Sequence, residues 1–257
     1  MGRTGTEVAR EASKMVLLDD NFATIVNAVE EGRKIYDNVA KSVRYLIACN
    51  LGEILVIFIA TILPSLFRGV MPLGALQILW MNVATDSAPA LALGMDPGDP
   101  QAMKQPPRNP KEEVINKKNY VGLIGTAAIF AFVTLGVFRI GLEWNAGNTA
   151  VASTMAFSTI VLAELFYALS VKSKSPFYAS NNLFENKLLF ASIVIGTALQ
   201  IGIVQLGFAE AIFDTVALNL EQWFIIIVAA LIPFTVAELV KSVKTVSKTI
   251  KVNTQWQ

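Results

Sequence analysis

Six residues of this 257-residue chain combine oxygen donors with helical spacing. Asn50 and Glu53 lie in NLGEILVIF, Asn82, Thr85 and Asp86 in MNVATD, and Glu164 in VLAELFYAL. Positions three and four apart share one face of a helix, so each group presents its polar atoms together. The sequence has no histidine and one cysteine, Cys49, which reads as a small buried hydrophobe with no disulfide partner. The donor set is therefore carboxylate, amide and hydroxyl oxygen, which suits a hard cation and makes zinc or copper a poor match. Calcium takes about six to eight oxygens and tolerates irregular geometry, whereas magnesium prefers to keep its waters. Calcium, manganese and sodium fit in falling order, and protons could also occupy the carboxylates.

The surroundings make those acids conspicuous. The chain is 54% hydrophobic and 16% charged, a membrane protein's composition. Glu53, Asp86 and Glu164 all fall inside apolar runs of span length, where a carboxylate costs roughly 2.5–3.5 kcal/mol even on the lenient insertion scale. Pairing among the polar residues as interhelical glue would be the bland explanation. No Lys or Arg stands at the centre of any span to neutralise the acids, which leaves protons or a metal ion. Ala88-Pro89 follows Asp86, and a proline there withholds a hydrogen bond from a carbonyl one turn back, near Thr85. Broken helices at membrane depth are typical of ion sites.

The elements that must position these residues are six apolar spans: about 45–67, 74–94, 120–142, 150–171, 187–208 and 222–240. The expected fold is an all-α membrane protein. Segments 1–44, 95–119, 172–187 and 241–257 hold 19 of the 21 Lys and Arg residues, which places both termini and two intervening loops in the cytosol. The first span is expected to continue a polar, amphipathic stretch, making one helix from about Asn21 to Leu63. About 40 helical residues would reach some 60 Å, twice the hydrocarbon thickness. Such a helix links a cytosolic part mechanically to a membrane site. Residues 1–22 read as the end of a larger cytosolic domain, with a helix from Glu7 to Lys14 and a short strand, MVLL; 23–44 form the cytosolic stalk; 45–240 form the transmembrane domain; and 241–257 form a cytosolic tail.

Other features read as structure. Gly122, Gly125 and Ala128, and Gly196, Gly202 and Gly207, have the spacing of close helix packing. Glu238 is expected to reach the interface or a nearby lysine, and Glu143 to be solvated. The Pro-rich loop MDPGDPQAMKQPPRNPKEEVINKKN is either a solvated linker or a strap docked on a cytosolic domain.

MGRTGTEVAREASKMVLLDDNFATIVNAVEEGRKIYDNVAKSVRYL, NLGE, ILWMNVATDSAPALALGMDP and MKQPPRNPKE together resemble the C-terminal part of P-type cation-transporting ATPases, specifically the calcium-pump branch. The resemblance covers essentially the whole chain and is weaker over the last three spans. It implies that the opening residues end the phosphorylation domain and that the spans match the family's fifth to tenth. It implies ligand roles for Asn50 and Glu53 on the fifth helix, Asn82, Thr85 and Asp86 on the sixth, and Glu164 on the eighth. Asp86 would be the carboxylate shared between two sites. The presence of both Glu53 and Glu164 resembles the two-site type rather than the secretory-pathway branch. Ser87 departs from the glycine usual after that aspartate. The DKTG, GDGxND and TGES motifs are not in this sequence, so ATP hydrolysis is not expected of it alone. The expectation is a fragment or split product whose partners are the cation, the lipid bilayer and the remainder of the pump: spans one to four and the actuator, phosphorylation and nucleotide domains. Magnesium and ATP would act only in the intact pump. No nucleic-acid partner is expected, and a bacterial chain would sit in the plasma membrane. The rival readings are an ATP-independent cation channel or transporter and a non-catalytic membrane subunit.

Overall fold

The computed structural model describes residues 2, 5–98, 102–104, 106–107, 117–144, 148–173, 175–179, 185–207 and 209–254. Their regular structure is helical, with no strand among them. A short helix, α1 (Glu7–Ala12), precedes a 41-residue helix, α2 (Phe22–Ile62). The carbonyl of the Asn21 side chain accepts from Ala23 N–H at 3.0 Å and caps α2. Pro64 ends it, because the residue before a proline is pushed out of helical geometry. The chain then reverses through left-handed Arg68 and Gly69, at φ 53° and 69°.

The next span is broken. α3 (Ala75–Trp80) runs into one wide π turn (Met81–Thr85), and α4 (Ser87–Gly94) follows. Four further helices complete the span set or join it: α5 (Lys117–Trp144), α6 (Thr149–Lys172), α7 (Lys187–Gln205) and α9 (Leu220–Thr254), with the single turn α8 (Glu210–Phe213) before the last. Five of the helices are long and apolar enough to cross a membrane. The second expected span, 74–94, is absent from that set because the π turn divides it. Ala75–Gly94 still covers the required length as a discontinuous segment.

The core lies where α2 packs along α5, and α6 packs along both α5 and α9. α6 is the most enclosed: 78% of its apolar stretch is buried, against 28% for that of α9. Close approach is set by glycines. A Cβ on Gly52 would meet the Phe130 ring at 3.1 Å, and one on Gly141 would come within 2.7 Å of the Ala152 backbone. Gly196 packs on Leu165, as its spacing suggested, but Gly122, Gly125 and Gly207 border open space within this chain. Pro233 sits inside α9 without ending it, a tolerance common in membrane helices.

Two details differ from the sequence reading. MVLL is not a strand: its backbone contact is Gly2 N–H donating to Leu17 C=O at 2.8 Å, and a strand needs a partner ladder that the described residues do not supply. The first helix stops at Ala12, where Ser13 turns extended and its hydroxyl donates to Arg10 C=O at 2.8 Å. Glu238 does meet a lysine, Lys241 at 2.7 Å, and Glu143 pairs with Arg139 at 2.7 Å. The Pro-rich loop begins docked, with Asp96 buried against α2 and the start of α7. Residues 99–101, 105 and 108–116 of that loop lie outside the described residues.

Candidate cation site

Three elements bring the acids inward. Glu53 comes from the apolar half of α2, Asp86 from the junction of the π turn with α4, and Glu164 from the middle of α6. Glu53 is 3% exposed, and Asp86 and Glu164 are 0% exposed.

The π turn explains how Asp86 reaches the centre. Pro89 has no N–H for the Thr85 carbonyl, and the backbone compensates upstream by widening. Asp86 N–H donates to Met81 C=O, five residues back, at 2.9 Å. The Ser87 hydroxyl donates to Asn82 C=O at 2.9 Å. The Thr85 hydroxyl donates to Met81 C=O at 3.0 Å. Such single wide turns recur at functional sites because they re-aim side chains without ending the helix.

The six expected residues do not form one ring. Asp86 and Glu164 are neighbours: a carboxylate oxygen of each and the Cys49 sulfur lie within 4.8 Å of one another. Glu53 stands outside that group and accepts from Asn82 Nδ2 at 2.9 Å, bridging α2 to the π turn. Asn50 Nδ2 donates back to Leu46 C=O on its own helix at 2.8 Å. Asn50 and Thr85 thus spend their protons on local backbone, and their oxygens remain acceptors.

The electrostatics are one-sided. Among the described residues, none of the three carboxylates has an ion pair, and Glu53 Oε1, Asp86 Oδ2 and both Glu164 oxygens lack any hydrogen-bond partner. The Tyr45 hydroxyl donates to Asp86 Oδ1 at 3.3 Å, a long bond. Were both ionised, two carboxylates within 4.8 Å would repel by about 3 kcal/mol or more even at an effective dielectric constant near 20. Buried polar groups of this kind are ordinarily satisfied. A cation would supply the missing partner, and the oxygen-rich chemistry suits one.

Two residues of the site were not singled out from the sequence, Tyr45 and Cys49. The signal was present: Tyr45, Cys49 and Glu53 are spaced by four along α2 and so share its inward face. Cys49 read as a small buried hydrophobe, and Tyr45 only as the start of the first span.

Residues 70–243 match the family described as cation transporting ATPase, C-terminus. A calcium-transporting ATPase of Bacillus subtilis is 41% identical over 91% of this chain, which covers 26% of that protein. Calcium-transporting ATPase type 2C member 2 of Rattus norvegicus is 33% identical over 94% of the chain, covering 25% of its length. The cation-transporting ATPase pma1 of Synechocystis is 35% identical over 88% of the chain, covering 25% of its length. The chain thus spans about a quarter of the length of these curated relatives. Its helices and its sequence agree: it is an integral, multi-pass membrane protein belonging to the C-terminal family of cation-transporting ATPases.

Proposed function

We propose that this chain is the ion-binding membrane region of an ATP-driven calcium pump. One observation carries the reading: buried acids on three elements lie near one another with four unpartnered oxygens and, among the described residues, no ion pair. Calcium is the cargo named for several relatives, and a flexible all-oxygen set suits it. Manganese and sodium are the lesser alternatives. Asp86 and Glu164 form the centre, Glu53 with Asn82 forms an adjoining wall, and Asn50 and Thr85 turn their oxygens inward when the ion enters. In the intact pump, ATP, magnesium and the phosphorylated aspartate belong to the remainder of the protein.

α2 supplies the coupling. It carries Glu53 at one end and a stalk at the other, in one uninterrupted helix. Residues 1–22 end the phosphorylation domain in this reading, and both termini and the loops at 95–119 and 172–187 face the cytosol. Movement of that domain would tilt or turn α2, changing the distance of Glu53 from Asp86 and hence access to the site.

The direct test is calcium-dependent ATP hydrolysis and uptake by the full-length pump carrying Asp86→Asn. The expected result is a fall in apparent calcium affinity of roughly 100-fold or more, since loss even of a ligand's supporting partner costs about 10–100-fold. Unchanged affinity would overturn the site. A Gly-Ser insertion beside Lys34 should leave ATP hydrolysis but lower calcium moved per ATP. Steady calcium flux through this chain alone, in proteoliposomes without ATP, would instead establish a channel.

A further inference from the structure

We infer that Cys49 Sγ is a metal donor, so that the Asp86–Glu164 pocket also accepts a thiophilic divalent cation of the cadmium or zinc class. This extends the cation reading above, and its test does not require the chain to be a pump. Cys49 is 0% exposed, and its sulfur can lie within 4.8 Å of oxygens of both Asp86 and Glu164. Those carboxylates are fully buried and supply three oxygens with no hydrogen-bond partner. A thiol surrounded only by alkyl groups would be packing, but this one shares a pocket with unspent anionic donors.

The geometry is close to a coordination shell. A tetrahedral ion with a metal–sulfur bond of about 2.3 Å and metal–oxygen bonds of about 2.0–2.2 Å holds its donors about 3.5 Å apart. Small side-chain rotations of Cys49 and Glu164 close the remaining gap. One sulfur and two carboxylates form a softer set than the oxygens around Glu53 and Asn82, and thiolate selects zinc-like ions over calcium. Binding displaces the thiol proton to solvent and forms the metal–sulfur bond, with no change of oxidation state. The divided second span contributes here as well: its π turn places Asp86 beside the sulfur. A soft divalent ion seated there would occupy carboxylates that the cargo ion needs, so it would compete with calcium.

The test uses the 257-residue chain in lipid nanodiscs, titrated with cadmium. Cys49 is its single cysteine, so the ultraviolet cadmium–thiolate charge-transfer band reports one site. The expected result is a saturable band at one ion per chain, absent in Cys49→Ser, with cadmium affinity by calorimetry about tenfold or more weaker in that variant. No band in the natural chain, or equal affinity in Cys49→Ser, overturns the inference. Should Cys49→Ser fail to fold by circular dichroism, Asp86→Asn and Glu164→Gln decide. Both should weaken cadmium binding with the thiol intact, and unchanged binding in both overturns the shared pocket. A parallel calcium titration separates the two readings. Cadmium binding through Cys49 without calcium binding sinks calcium as the cargo and leaves this inference standing; calcium binding without the band does the reverse.

Discussion

Asp86 and Asp96 flank α4, and both are buried, at 0% and 9% exposure. Asp96 is furnished with donors. Lys41 Nζ lies 3.5 Å from Oδ1, Gly98 N–H donates to Oδ1 at 3.0 Å, and Asn186 Nδ2 donates to Oδ2 at 3.1 Å. Its backbone carbonyl accepts from Asn38 Nδ2 at 2.5 Å. Asn186 also donates to Ala92 C=O at 2.8 Å and caps α7 through Leu189 N–H at 2.9 Å. The hub therefore ties the Asn38–Lys41 part of α2, the end of α4 and the start of α7 into one unit. Asp86 has only a long bond from Tyr45, and its second oxygen has no partner. The contrast separates two uses of a buried acid. At Asp96 the protein completes the hydrogen bonding and gains rigidity; at Asp86 it supplies few donors, which in the proposed function a cation would replace.

The comparison can be broken by removing one acid from each cluster, Asp96 from the first and Glu164, the neighbour of Asp86, from the second. Asp96→Ala should cost about 3 kcal/mol or more of stability, because Lys41 and Asn186 are left buried without their partner. Thermal unfolding in a fixed detergent measures it. Glu164→Gln, at the unpaired site, should not lower cation-free stability, since it removes repulsion rather than a partner. Losses of similar size in the two variants would show that the acids do the same work.

Cation binding gives the next largest effect. Calcium at about 100 times its dissociation constant should stabilise the natural protein by ~2.7 kcal/mol. Asp86→Asn should abolish that increment, while Asp96→Asn retains it on a less stable background. An increment surviving in Asp86→Asn would place the ion elsewhere.

Tyr45→Phe sharpens the contrast with the smallest change. It removes the one donor to Asp86, and the expected cost is about 1 kcal/mol of stability. Because that hydroxyl orients Asp86, cation affinity should fall about tenfold, at the low end for a supporting partner. Calcium titration of the variant decides; unaltered affinity would show that packing alone aims the carboxylate.

Much of this was legible in advance, and for identifiable reasons. Apolar length marked the membrane helices, and Pro64 and Asn21 marked the ends of α2 because capping and proline geometry are local. Glu53, Asp86 and Glu164 stood out because an acid in an apolar run is costly wherever its helix packs. The π turn was only half legible: Pro89 announced a break, but the extra residue was accommodated upstream at Met81–Thr85, where Ser87 could take a carbonyl. Cys49 and Tyr45 stayed hidden, since a buried thiol and phenol look the same beside a leucine as beside a carboxylate.

The sequence by itself therefore determined that the chain is helical, that it belongs in a bilayer, and that oxygen-bearing residues occupy fixed faces of particular helices. Periodicity and transfer energy act along one segment and need no partner. The tertiary structure decided which faces meet. It put Glu164 with Asp86 and Cys49, set Glu53 apart with Asn82, and gave Asp96 its full set of donors while leaving Asp86 without. Those outcomes depend on the rotation and depth of one helix against another. They follow from side-chain packing, such as Gly52 against Phe130, between residues far apart in the chain.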